Sequence, residues 1–235
     1  MASWIVHLRV AENLLKEHSE WHAGYFAIGN IAPDSGLPLN TSADKLDFGS
    51  MENALNLPVY IINSSDDKVA PGKRVGLVAA VLKKYDCPDI VHDEFPGGAR
   101  VHAGDSWGKV YDWFMRKSRN LFPKKIQLNF DGTGSQHAYW LELVKPQAGA
   151  RATARIEQGR IEITVSKARG VTIYLSDRIV NLDNKITVRI NNKRVFREKV
   201  KRSAAMALKT CLLKNDRHAA YACRLSFNLE EPSDK

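Results

Sequence analysis

The stretch covering residues 58–85, PVYIINSSDDKVAPGKRVGLVAAVLKKY, carries a carboxylate where chemistry often sits. Its apolar run at 59–62 predicts a buried strand, its polar segment with Asp66 and Asp67 a turn, and residues 71–84 an amphipathic helix. In a doubly wound sheet, functional groups collect in such loops, at the carboxyl ends of the strands. Asp67 is therefore a candidate active-site acid. The same position also suits an acid that only caps the helix or shapes the turn.

The elements that would hold such a site follow from the hydropathy pattern. Residues 6–17 carry apolar side chains at 6, 8, 10, 11, 14 and 15, a helical face, and residues 36–50 are loop-rich in Ser, Asn, Asp, Gly and Pro. From 58 to 118 the chain alternates strand (59–62), helix (71–84), strand (90–95) and helix (104–118), the pattern of a parallel sheet. After residue 124 the pattern changes to alternating strands such as KIQLNF, AYWLELV, RIEITVSK and VTIYLS. Turns such as Asp131-Gly132 and Asn191-Asn192 separate them. One helix is expected at 203–216 and a last strand at 219–227. The fold class expected is α/β, with a partial parallel sheet at 51–120 after an N-terminal helix and loop segment at 1–50. A β-rich, sandwich-like domain at 121–235 completes the chain.

Composition narrows the function classes. With 235 residues, 44% of them hydrophobic and 26% charged, the chain has the make-up of a soluble globular protein. It has no apolar run of the length a membrane span needs and no basic-then-apolar leader, so a cytoplasmic location is expected. Three cysteines, Cys87, Cys211 and Cys223, have no paired spacing, which argues against a disulfide framework and a zinc ribbon. The net charge of +9 is uneven. Residues 1–115 hold 10 Lys and Arg against 15 Asp and Glu, and residues 116–235 hold 25 against 11. A basic half suits a phosphate-rich or other anionic partner, and equally a solvated surface.

The segment NSSDDKV followed by HDEFPGGARVHAGDSWGKVYDWF resembles the C-terminal part of the α/β-hydrolase family, in its esterase and dienelactone-hydrolase-like branch. The resemblance covers about residues 52–230, with the later strands similar to the β-rich accessory domain of bacterial esterases. It implies that Asp67 is a triad acid, orienting the histidine that acts as general base. Arg100 stands where the family often has that histidine. His102, two residues further on, has room to reach Asp67 and is the preferred base, while His92 lies within a strand and reads as packed. The Gly-x-Ser-x-Gly elbow of the family is absent, and the residues before Met51 are too few for the first half of its fold. Tyr139 and Trp140 are then core or inter-domain aromatics and not a ligand platform. Separately, ASWIVHLRVAENLL and FAIGNIAPDSGLP (residues 2–38) resemble the start of zinc-dependent phospholipase C-like proteins. That resemblance implies His7 and Asp34 as metal ligands, although a zinc site needs three or four.

Two joined gene fragments are thus expected, a truncated and chimeric chain with its junction near residues 38–52. The expected function is weak or unconventional hydrolysis of a small-molecule ester or lactone by Asp67 and His102, with no cofactor. The alternatives are a non-catalytic module whose basic β-domain binds an anionic polymer or a partner protein, and a metal-dependent phosphoesterase built on the N-terminal segment. Nucleic acid is not an expected partner. An incomplete sheet invites a second copy, so a homodimer is expected.

Overall fold

The structure, a computed structural model, describes residues 50–66, 72–85, 87, 89–96, 106–118, 120–133, 135–214 and 216–229. The chain divides between residues 120 and 121 into two compact units. The α/β class expected for the whole chain does not hold: the described residues are 45% strand and 21% helix, with three α-helices in all. The β-rich unit supplies seven of the nine strands among the described residues, two of them 17 and 16 residues long, and they outweigh the helices.

The first unit opens with a 3-10 turn at Ser50–Ala54 and continues as β1 (Val59–Ser64), α1 (Gly72–Lys84), β2 (Ile90–Phe95) and α2 (Ser106–Met115). β1 and β2 pair in parallel, from Val59 opposite Ile90 to Ser64 opposite Phe95. Side chains alternate across a strand, so the two faces of this pair differ. Val59, Ile61 and Ile90 pack with Val78 and Val81 of α1 around buried Ala54, Leu82 and Cys87. On the other face Tyr60 meets Trp113 of α2 edge-on, with ring centroids 5.2 Å apart. Lys117, just past α2, pairs with Asp89 just before β2 and lies over the Trp113 ring. These contacts run α2 back along β2.

The second unit contains β3 (Lys125–Phe130), β4 (His137–Ala138), β5 (Leu141–Glu157), β6 (Arg160–Leu175), β7 (Ile186–Ile190), β8 (Lys193–Glu198), α3 (Ala204–Lys214) and β9 (Cys223–Asn228). It forms one seven-stranded sheet in the order β3-β5-β6-β7-β8, with β4 on β5 and β9 on β6. The two-sheet sandwich expected for this region is replaced by this single bent sheet. The cause lies in β5. Opposite β6, its register jumps between Pro146 and Arg151, so that three extra residues are inserted. Lys145 and Gly149 take positive φ there, as does Lys167 on β6. An odd insertion reverses which residues face inward. Leu141 and Leu143 are buried before it, and Ala150, Ala152, Ala154 and Ile156 after it. The strand pattern AYWLELV and the residues that follow KPQAG are therefore parts of one bulged strand, whose two halves line one core.

That core joins Ile126, Leu128 and Phe130 of β3 to the alternating Ile161, Ile163 and Val165 of β6 and Ile186, Val188 and Ile190 of β7. Trp140 is fully buried and donates from Nε1 to the Pro123 carbonyl at 2.6 Å. The β7–β8 hairpin turns at Asn191-Asn192, both at positive φ, the geometry that favours Asn. Ser203 caps α3, its Oγ accepting from the Met206 amide at 3.2 Å. Thr210 of α3 donates to the Ala207 carbonyl and accepts from the Tyr221 amide, tying the helix to the approach of β9. Arg202 grips Asp177 through two nitrogens and Asp183 through the third, fixing the loop after β6. Both carboxyls are held below the usual carboxylate range, chiefly by their hydrogen bonds to that guanidinium.

Candidate functional site

The β1–α1–β2 path brings two strand ends together. Ser64 is opposite Phe95, and the Ser65 amide donates to the Phe95 carbonyl at 2.7 Å. The segments leaving these adjacent carboxyl ends are those that contain Asp67 and His102. Both residues lie outside the described residues, as do His7, Asp34 and the N-terminal helix and loop expected at 6–17 and 36–50. The expected pairing of Asp67 with His102 and the metal-ligand role of His7 and Asp34 therefore have no described geometry.

Beneath those strand ends is a polar contact that hydropathy patterning did not reveal. The Tyr60 hydroxyl donates to the Asp93 carboxylate. Tyr60 is opposite Val91 and Asp93 opposite Ile62, so the two side chains are diagonal neighbours on the α2 face. Burial, then the hydrogen bond to Asp93, pushes the Tyr60 hydroxyl up to about 12. Tyr174 behaves alike: it donates to Glu142 at 2.5 Å, and burial and that bond push it up to about 12. A phenol with a raised folded-state value contributes its bond fully below pH 10 and loses it as pH rises from 10 toward 12. At neutral pH both are fixed donors, suited to positioning strands rather than to taking a proton. An acid in a strand with an aromatic hydroxyl thirty-three residues earlier gives no local sign of such a pair, because only the parallel register brings them together.

The remaining described groups offer little reactivity. Cys87 and Cys223 are buried, and burial raises the Cys223 thiol, which disfavours its thiolate. His92 is half-buried in β2, on the opposite face from Asp93. Among the described residues no group of three His, Cys, Asp or Glu side chains is placed to hold a metal, and no helix is long and apolar enough to cross a membrane. A shallow depression at the β5–β6 hairpin tip is lined by Arg155, Glu157, Gln158, Arg160 and Glu162. Its arginines and glutamates pair with one another at 3.3 to 3.9 Å, so it has no strong net field for a small ion. No protein-family model, curated protein or solved structure matches the chain.

Proposed function

We propose that the chain derives from an ester or lactone hydrolase and retains the acid–base part of its site, Asp67 and His102, without a recognisable nucleophile. The supporting observation is the parallel pairing of Ser64 with Phe95, which sets side by side the two strand ends that precede these residues in the sequence. In this reading the Asp67 carboxylate holds the His102 tautomer, and the imidazole takes the proton from a hydroxyl or water that attacks the ester carbonyl. Turnover is weak. In a serine hydrolase with all other parts in place, loss of the nucleophile or the histidine alone costs on the order of a millionfold. A second copy of the chain is part of the reading, because β1 and β2 each have one strand neighbour among the described residues and two-stranded sheets are marginal alone.

The test is hydrolysis of p-nitrophenyl acetate by the full chain, with its size read by chromatography on the same sample. Low activity that His102→Ala and Asp67→Asn both remove is expected. Treatment with a serine-reactive phosphonate distinguishes a recruited serine from water. Robust activity untouched by His102→Ala would sink the proposal. His7→Ala and Asp34→Ala, assayed with added zinc, would then test the phosphoesterase alternative.

A further inference from the structure

The outward face of the second unit carries a row of charge that no single segment of the sequence reveals. Following the register across all five strands of the main path, Lys125 of β3 is opposite Arg155 of β5, and Arg155 opposite Glu162 of β6. Glu162 is opposite Arg189 of β7, and Arg189 opposite Arg194 of β8. One long side chain per strand thus forms a line across the sheet, four cations to one carboxylate. Neighbouring strands lie about 4.8 Å apart, so the line is roughly 19 Å long. Beside it runs a second row, Glu157, Arg160, Thr187 and Arg197. Further along β5, Arg151 is opposite Ser166.

Two features separate this face from an ordinary solvated surface. First, cations are directly opposite one another at Arg189 and Arg194, whereas Arg155, opposite Lys125, is already paired with Glu157 and Glu162. Like charges in that position destabilise a strand pair, and a bound anion relieves the repulsion. Second, Arg151, Arg194 and Arg197 are exposed and have no carboxylate partner among the described residues. The inward residues of the same strands are the aliphatic core, so the field is one-sided.

We propose that this face docks a linear polysaccharide bearing carboxylate or sulfate groups. The rows offer cations, interrupted at Glu162 in the first and at Glu157 and Thr187 in the second, to a chain of repeating anions laid flat on the sheet. Between the first row and Arg151 the exposed hydroxyls of Thr153 and Thr164, with Ser166 opposite Arg151, suit hydrogen bonding to sugar hydroxyls. The outward residues of these rows include no aromatic ring, which single-stranded nucleic acid would need for base stacking. The face is a sheet and not a helix or ribbon projecting into a duplex groove. This inference is independent of the hydrolase reading and stands or falls without it.

The experiment measures binding of the full chain to end-labelled heparin and end-labelled polygalacturonate, which separate sulfate from carboxylate recognition, and to duplex DNA of similar length. Affinity for at least one polysaccharide should fall steeply between about 50 and 200 mM salt. The double variant Arg194→Gln/Arg197→Gln should lose about tenfold in affinity at low salt and about two units of salt slope. Arg151→Gln, a single change on a central strand, should lose affinity in the same direction and covers the case of a misfolded double variant. Lys83→Gln/Lys209→Gln removes the same charge elsewhere and should stay within about twofold of the parent chain. Arg194→Gln alone should leave the melting temperature unchanged or higher, since it removes a cation facing Arg189. The proposal is overturned if neither polysaccharide binds at the lowest salt, if the control pair loses as much as the sheet pair, or if duplex DNA binds as tightly as the polysaccharides.

Discussion

Gly170 allows β6 and β9 to run together where a side chain would not fit. A Cβ placed there lies 2.6 Å from the Phe227 carbonyl oxygen, a backbone atom that cannot swing aside. Gly170→Ala should therefore cost about 1–3 kcal/mol, the range for forcing a methyl into a packed site. Gly76 on α1 is the contrast, because a Cβ placed there meets nothing within 4 Å. Gly76→Ala should stabilise by about 0.5–1 kcal/mol, by lowering the freedom of the unfolded chain. Urea unfolding of the two variants against the parent checks both signs. A neutral Gly170→Ala would mean that β9 can shift outward freely. Neither outcome is legible in the sequence, where KARGVTIYLS and KRVGLVAAV each show one glycine in an apolar run.

At the scale of elements, the β7–β8 hairpin was legible from its turn chemistry, whereas Asp131-Gly132 ends β3 without making a hairpin, since β3 pairs with β5. Asn191-Asn192 predicts the β7–β8 turn, and both residues adopt the positive φ that asparagine tolerates. The parallel β1–α1–β2 path was legible from its periodicity, since β1, α1 and β2 fall where strand and helix were expected. The long strands were not. KPQAG reads as a break because Pro and Gly punctuate chains, yet here they form a bulge inside one strand. Because the insertion numbers three residues, it sets the inward parity of everything after it. Deleting Ala148 alone would leave an insertion of two and turn Ala150, Ala152, Ala154 and Ile156 toward solvent while Arg151 and Arg155 turned inward. That variant should lose the cooperative unfolding transition of the second unit. Retention of the transition near the parent's midpoint would show that the bulge absorbs the shift and does not fix the register.

At the scale of the molecule, the charge asymmetry between the two halves was visible in composition, but the row from Lys125 to Arg194 was not. Its five members come from five strands, and the β5 bulge decides which of their neighbours face outward. The candidate acid and histidine could be named from their motif and strand-end positions, whereas the Tyr60–Asp93 contact needed the pairing register. The energetics of the two units also differ. Every buried member of the large core, from Ile126 to Cys223, belongs to the second unit, as do the Trp140 and Tyr221 hydrogen bonds to Pro123 and Leu121. Among its described residues the first unit has a two-stranded parallel sheet over a small cluster of Ala54, Leu82 and Cys87. Parallel sheets gain stability when both faces and further strands bury them, and two strands are below that size. A fragment of residues 121–235 should therefore fold alone, with a β-type circular dichroism spectrum and one cooperative thermal transition. A fragment of residues 50–120 should show no such transition. If 121–235 instead stays uncooperative while the full chain unfolds in a single step, the large core depends on the first unit, and the two units form one folding domain.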